Sequence, residues 1–173
     1  MPDGTGDTGR PGSRPDGLTH LDEDGHAHMV EVGAKPITAR TAVARATVVM
    51  APATAARVAG GDLPKGDALP LVRLAGIQAA KLTPQLIPLC HQVAVTSVEV
   101  TVDVDAGAGR VDIVATARAR DRTGVEMEAM TAASVASLAL YDMVKAVQRD
   151  VRVTEVVLVS KSGGRSGDWH ADE

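Results

Sequence analysis

The feature that most constrains the fold is a run of 13 residues, 129–141, that contains no charged side chain. Its spacing predicts a helix that continues to residue 148. A helix that is apolar all round must be buried all round. A sheet from the same chain can cover only one side, so a second helix or another chain must cover the rest. The run is too short to span a bilayer.

Trp169 and Tyr141 are the only residues of the Phe, Tyr and Trp class in the 173-residue chain. The core must therefore consist mainly of Ala, Val, Leu, Ile and Met, and each Ala buries little apolar area. Chains with a thin core commonly gain stability by burying surface between subunits. We therefore expect a homo-oligomer.

Charge and cysteine content exclude several classes of protein. The formal net charge of −4 argues against a general nucleic-acid binder, which needs a basic surface. The single cysteine, Cys90, cannot form an internal disulfide, which is typical of a reducing compartment. The first residues lack the apolar run of a signal peptide. We expect a cytoplasmic protein with no membrane partner.

The chain divides into three parts by composition. Residues 1–17 are mostly Gly, Pro, Asp, Ser and Thr, and such a segment is expected to be disordered. Residues 18–169 are predicted to form a single folded domain, and residues 170–173 a tail.

Periodicity predicts strands over 41–50, 95–104, 111–119 and, last, 151–160, with helices over 53–59 and 69–81 besides the long helix. The Ala-Gly-Ala-Gly sequence at 106–109 joins two of the strands as a hairpin. This order is the split βαβ, or ferredoxin-like, arrangement of the α+β class, an antiparallel sheet with helices packed on one face. The other face of such a sheet is open, which predicts a partner there.

Two acidic residues, Glu126 and Glu128, precede the charge-free run. Thr123 and Gly124 suggest that the pair lies on an extended entry to the helix, where residues two apart share a face. Acids on one face raise each other's pKa, which suits acid–base catalysis or metal binding. The alternative is a pair of first-turn acids stabilised by the helix dipole.

Asp142 and Lys145 follow the charge-free run at a spacing of three, which makes them neighbours on a helix. They are either an ordinary surface pair or functional charges at the edge of a buried surface, in which case their pKa values should be perturbed. Fourteen residues separate Glu128 from Asp142, about 20 Å of helix. Either two sites exist, or the substrate is long, or a neighbouring subunit brings the ends together.

Three further motifs are ambiguous by themselves. His91 follows a Pro-containing turn and is either a proton shuttle or a structural histidine, whereas Cys90 is better explained as a small buried residue than as a nucleophile. The glycine-rich segment 161–167, with Lys161 and Arg165, forms either an anion-binding loop or a linker. Lys65 precedes Gly66 in a turn before a helix.

Two weaker motifs lie nearer the N-terminus. His26 and His28 have a spacing that could serve a metal. Arg40, with Arg45 beyond it, has the guanidinium group that suits phosphate contacts.

Long strings of the chain resemble a known family, the cyclic pyranopterin monophosphate synthases, also called molybdenum cofactor biosynthesis protein C. The resemblance lies in LTHLDEDGHAHMVEV from Leu18, KGD from Lys65, RLAGIQAAK from Arg73, LIPLCH from Leu86, TGVEMEAMTAASVASLALYDMVKAV from Thr123 and KSGGRSGDW from Lys161. These strings run in the family's order and cover nearly everything after the N-terminal extension.

The resemblance implies a lyase that converts a 3′,8-cyclised dihydro-GTP into cyclic pyranopterin monophosphate and pyrophosphate. It implies a homo-hexamer, a trimer of dimers with sites at subunit interfaces, and a radical S-adenosylmethionine GTP cyclase as the functional partner that makes the substrate. It implies no required cofactor and no protein metal site, and leaves Mg²⁺ on the substrate triphosphate open.

The implied site residues fall into two groups. The catalytic group is Asp142, Lys145, Lys65, Glu126 and Glu128, and the substrate-binding group is His91, Cys90, Met127, Lys161, Arg40 and Arg165. Several lysines close together would lower one another's pKa, so that one could act as a base. Gln92, Val144 and Arg165 depart from the family's usual Pro, Cys and Lys, which speaks against an essential thiol at position 144.

Two other functions fit part of the pattern. A non-catalytic ferredoxin-like module that binds a nucleotide or metabolite explains the fold and the glycine–lysine segment, but not the accompanying acids, His and lysines. A purely structural assembly subunit explains only the charge-free helix.

Overall fold

The computed structural model describes residues 20–21, 24–165 and 167–172. The predicted disordered extension, 1–17, lies outside these residues. The described residues fall into two compact units, divided between residues 30 and 31. In the described part of the first unit, Leu21 and Ala27 form an antiparallel bridge. The backbone N–H of His28 also donates to the carbonyl of His20 at 2.9 Å.

The second unit is an antiparallel sheet with three helices. Its strands are β1 (Thr38–Val49), β2 (Val95–Asp105), β3 (Arg110–Asp121), β4 (Arg152–Ser162) and β5 (Trp169–His170), and its helices are α1 (Pro52–Gly60), α2 (Ala68–Leu86) and α3 (Glu126–Val144). The strand order is β2-β3-β1-β4-β5. This arrangement confirms the predicted α+β, ferredoxin-like fold.

The core is built from small side chains. Alternate β1 residues Ala42, Ala44 and Ala46 are fully buried, because successive side chains of a strand point to opposite faces. They oppose Ala117, Ala115 and Ile113 of β3. The α3 residues that are fully buried include Ala129, Ala132, Ala133 and Ala136. Methyl groups on both layers let α3 lie close to the sheet, which explains how a chain without Phe forms a core.

Helix α2 covers one side of α3, as the prediction of a second helix allowed. The two helices lie close together at Gly76, where an added Cβ would lie 3.1 Å from the carbonyl oxygen of Ala132. The outer side of α3 is not buried in the single chain, since Leu138 is 60% exposed. No helix in the described part of the chain is both long and apolar enough to cross a membrane.

The bounds of α3 differ from the prediction at both ends. The helix begins at Glu126, not at residue 129, because the two acids occupy the first turn, where the positive end of the helix dipole favours them. It ends at Val144, not at residue 148. The chain then turns, with the N–H groups of Val147 and Gln148 both donating to the carbonyl of Val144.

A fifth strand was not predicted, so β4 is not the last strand. Trp169 pairs with Lys161, and His170 pairs with Ser160, at the edge of the sheet. The glycine-rich segment therefore forms the turn of a hairpin between β4 and β5 instead of a linker. Its glycines 163, 164 and 167 adopt φ values of +91°, +80° and +68°, which explains why small residues stand there.

Candidate active site

Helix α3 carries the predicted acidic residues at its two ends. Glu126 and Glu128 lie in its first turn, and Asp142 lies in its last turn. Sixteen residues separate Glu126 from Asp142, which corresponds to about 24 Å along the helix axis. Each end gathers its own set of charged partners, so one chain presents two charged clusters instead of one continuous site.

The cluster at the start of α3 lies in a cavity of about 1010 Å³. The charged residues that line it are Lys35, Arg40, Arg122, Glu126, Lys161 and Arg165. The ammonium of Lys161, the second-to-last residue of β4, lies 3.1 Å from Oε1 of Glu126. Five cationic side chains against one acid make this cavity suited to a polyanionic ligand such as a phosphate chain.

Arg40 occupies this cavity on the central strand β1, between β3 and β4. Its Nη1 donates to the carbonyl of Gly163 at 3.3 Å, and its Nη2 donates to the carbonyl of Arg122 at 3.3 Å. Its Nε donates to the carbonyl of Asp121 at 3.4 Å. The guanidinium therefore contacts the segments on both sides of its own strand.

Glu128 is only 1% exposed and does not line the cavity with Glu126. The prediction that the two acids share a face is wrong, because residues two apart on a helix point about 200° apart. Burial raises the pKa of Glu128, and the neighbouring Glu126 raises it further. Its Oε2 has no hydrogen-bond partner among the described residues.

Cys90 lies beside the other oxygen of Glu128. Its Sγ donates to Oε1 of Glu128 at 3.9 Å and to the carbonyl of His91 at 3.6 Å. Burial, together with the Glu128 carboxyl, raises the pKa of the thiol to about 11. A thiol with this pKa stays protonated at neutral pH, which favours a packing role for Cys90 over a nucleophilic one. His91 lies directly after it, before β2 begins.

The cluster at the end of α3 is a carboxylate shared by two lysines. Lys145 Nζ lies 2.6 Å from Oδ1 of Asp142, and Lys65 Nζ lies 2.5 Å from Oδ2. Lys65 also donates to the backbone carbonyl of Asp142 at 2.9 Å. The turn that presents Lys65 requires Gly66, whose φ is +90°. All three side chains are about half exposed in the single chain.

The pKa values of Asp142 and Lys145 depart from their ordinary values, as expected if the pair is functional. Hydrogen bonds from Lys145 and then Lys65 lower the pKa of Asp142 to about 2. The bond to Asp142 raises the pKa of Lys145, so the expectation that neighbouring lysines lower it is wrong for this residue. The carboxylate of Asp142 acts on Lys145 through a direct hydrogen bond and through its charge.

Met127 and Arg165, the remaining predicted residues of the second unit, both lie near the cluster at the start of α3. Met127 is partly exposed on the first turn of α3, between the two acids. Arg165 lies at the tip of the β4–β5 hairpin and lines the cavity. His26 and His28 belong to the first unit. No group of three or more His, Cys, Asp or Glu in the described part of the chain could hold a metal ion.

Two cavity residues, Lys35 and Arg122, were missed. Lys35 ends the turn before β1, and Arg122 follows the end of β3, so both lie at the end of the sheet that also carries Arg40 and Lys161. The sequence does contain a pattern that indicates these two residues, namely a cationic residue in each loop at that end of the predicted sheet. It could be recognised only after the antiparallel register of β1 with both neighbours was known.

The fold and the site define a class of protein, a ferredoxin-like α+β domain with a cationic cavity and acid–base pairs at the ends of one helix. The MoaC family model matches residues 29–164. The chain therefore belongs to the MoaC family.

Relatives of known name extend this comparison. The chain is 56% identical over 155 residues to the cyclic pyranopterin monophosphate synthase of Roseiflexus sp. (strain RS-1), covering 90% of this chain and 98% of that protein. It is 53% identical over 152 residues to the protein of the same name from Chloroflexus aurantiacus (strain ATCC 29366 / DSM 635 / J-10-fl), covering 88% and 93%.

A mammalian relative is much longer. The chain is 54% identical over 160 residues to molybdenum cofactor biosynthesis protein 1 of Mus musculus. The match covers 92% of this chain but only 25% of the mouse protein. The chain thus spans about a quarter of the length of this relative.

Proposed function

We propose that the chain is a lyase of molybdenum cofactor biosynthesis, a cyclic pyranopterin monophosphate synthase. It converts a 3′,8-cyclised dihydro-GTP into cyclic pyranopterin monophosphate and releases pyrophosphate. Membership of the MoaC family and the names of the bacterial relatives support this proposal. The residues that the resemblance implies as catalytic are all present.

The observation that carries the proposal is the Asp142 carboxylate shared by Lys65 and Lys145. Breaking and reclosing rings derived from a purine requires groups that donate and accept protons beside the reacting atoms. Lys145, whose pKa is raised by Asp142, supplies an ammonium that can donate a proton. Asp142 stays ionised over the physiological range and holds both lysines in place.

The cationic cavity supplies the second requirement of the reaction. The departure of pyrophosphate needs positive charge beside the oxygens on which negative charge develops. Lys35, Arg122, Lys161 and Arg165 line the cavity with such groups. In this proposal no protein-bound cofactor takes part, and Mg²⁺ enters only as a counterion of the substrate's triphosphate.

The two clusters act in one site only when two chains meet. One substrate molecule cannot contact both ends of a helix about 24 Å apart. A homo-oligomer, a hexamer built as a trimer of dimers, would place the cavity of one chain beside Asp142 of its neighbour. His91 and Met127 then complete the substrate-binding wall between them. A radical S-adenosylmethionine GTP cyclase supplies the substrate in the cytoplasm.

Pyrophosphate release from the cyclised GTP derivative tests the proposal. We expect release by the wild-type protein and a loss of about 10²- to 10⁴-fold in kcat for Asp142→Asn, because the variant removes the anion that holds both lysines. The matched control is Asp62→Asn, which removes a largely exposed carboxylate paired with Arg57 at 3.7 Å. Binding without release by the wild type would identify a non-catalytic module and overturn the proposal, as would full activity of Asp142→Asn.

A further inference from the structure

Arg40 lies where the sheet opens around the cavity. The pairing of β1 with β4 begins at Thr41, opposite Ser162, so β4 leaves β1 immediately beside Arg40. The pairing of β1 with β3 ends at Thr38, opposite Asp121. Backbone carbonyls that no longer face a neighbouring strand need other donors. The guanidinium of Arg40 provides donors to both sides through its bonds to Asp121, Arg122 and Gly163.

The two segments that Arg40 contacts carry the ion pair of the cavity. Arg122 lies four residues before Glu126, and Gly163 lies two residues after Lys161. Glu126 is the first residue of α3 and Lys161 lies near the far end of β4, so the two residues are 35 positions apart in the chain although their elements are consecutive. The position of the guanidinium therefore affects both partners of the Lys161–Glu126 pair at once.

The glycines of the hairpin fit this arrangement closely. A Cβ at Gly164 would overlap Nη1 of Arg40, and a Cβ at Gly163 would overlap the carbonyl oxygen of Ala39. A Cβ at Gly167 would meet no atom within 4 Å. All three glycines have positive φ, so backbone conformation alone does not distinguish them. Of the three, Gly164 is the position at which a side chain would collide with the guanidinium of Arg40.

We propose that Arg40 is a positioning residue that sets the geometry of Glu126 and Lys161 through the backbone of the glycine turn and of the β3–α3 connection. Three nitrogens of the guanidinium already donate to backbone carbonyls, so its orientation is fixed by the protein. This role rests on the proposed function for its effect on turnover. It differs from the phosphate-binding role that the sequence suggests for the same residue.

Two variants that perturb this contact from opposite sides test the proposal. Arg40→Lys keeps the positive charge, but all donors of the ammonium lie on one nitrogen and cannot reproduce the three separated nitrogens of the guanidinium. Gly164→Ala keeps the charge and displaces the guanidinium. We expect each to lower kcat by about 100-fold with a much smaller rise in KM, since misplacement by about 1 Å has this effect. The double variant should be no more than about threefold worse than either single variant.

Gly167→Ala is the matched control, because it has the same left-handed backbone strain but no contact with Arg40 and does not line the cavity. We expect its kcat to stay within about threefold of the wild type. The proposal is overturned if Gly164→Ala behaves like Gly167→Ala. It is equally overturned if Arg40→Lys raises KM and leaves kcat intact, because that result identifies a ligand of the substrate.

Calorimetric titration with inorganic pyrophosphate separates this inference from the proposed function. Displacement of Lys161 should weaken pyrophosphate binding by the same factor, within about twofold, in Arg40→Lys and in Gly164→Ala. Weaker binding in the arginine variant alone contradicts the positioning role. A wild-type protein that binds pyrophosphate but releases none from the cyclised substrate contradicts the proposed function instead.

Discussion

Two carboxyl groups on α3 have opposite environments although both stand among the predicted catalytic residues. Asp142 is half exposed and contacts two ammonium groups, which lower its pKa to about 2. Glu128 is buried beside a thiol and another acid, and its pKa is raised. Carboxyl groups with separated pKa values can serve as an anion and as a proton donor at the same pH.

The buried carboxyl makes stability depend on pH. A group whose pKa is raised in the folded state contributes stability below its unfolded pKa of about 4.3, and this contribution is lost as the pH rises through the folded pKa. We therefore expect Glu128→Gln to gain Tm relative to the wild type as the pH rises from 5 to 8. Thermal unfolding across this range measures the difference.

The control for this measurement is Glu99→Gln, which removes an exposed carboxylate on β2. Its Tm difference from the wild type should be nearly independent of pH across the same range. If the Tm values of Glu128→Gln and the wild type changed in parallel with pH, the buried carboxyl would not be responsible for the pH dependence of stability.

The close packing of α2 against α3 depends on the absence of a side chain at Gly76. A Cβ at Gly76 would lie 3.0 Å from Cγ2 of Val100 and 3.1 Å from the carbonyl oxygen of Ala132. The helix cannot move away without separating a core of small side chains. We expect Gly76→Ala to destabilise the protein by about 1–3 kcal/mol in chemical denaturation, despite the better helix propensity of Ala.

Gly60→Ala gives the comparison within another helix. Gly60 is the last residue of α1, and a Cβ there would meet nothing within 4 Å. The substitution should be neutral or stabilising by up to about 1 kcal/mol. Equal effects of the two substitutions would contradict close packing at Gly76.

The elements that the sequence predicted well are those with a clear period. The alternation in β1, β2 and β3 placed their buried face correctly because every second residue faces the core. The start of α3 was missed because Gly124 and the two acids are residue types that are common in turns. The local pattern therefore placed them before the helix. The strand β5 was missed because a strand of two residues is too short to show an alternation of buried and exposed side chains.

The site was predictable only where its residues are close in sequence. Asp142 and Lys145 are three apart on a helix, and their contact follows from that spacing. Lys65 is 77 residues from Asp142, and only the tertiary fold brings it there. The same holds for Arg40, whose contacts in β3 and the hairpin turn depend on strand register.

At the scale of the whole molecule, the separation of the two clusters predicts how inactive variants behave in mixtures. Glu126→Gln disables the cavity cluster and Asp142→Asn disables the other. If each site combines clusters from two chains, random assembly of both variants restores about a quarter of the sites. Pyrophosphate release after joint refolding of equal amounts measures this recovery.

Two variants of one cluster provide the negative control. Lys65→Ala and Asp142→Asn affect the same end of α3, so no combination of these chains yields an intact site. The absence of recovery in the first mixture would show that each chain forms its site alone. Recovery in the control mixture would show that Lys65 and Asp142 of one site come from different chains.

The length of α3 has a consequence for the evolution of this family. Each residue added to a helix turns everything beyond it by about 100° and shifts it by about 1.5 Å. An insertion between Glu126 and Asp142 would therefore rotate one charged end away from its partners while the alanines between them lost their fit to the sheet. Descendants of this chain can acquire larger or smaller substrates by changing loops or the way subunits dock. Within the helix itself, the insertion or deletion of a single residue is therefore disfavoured.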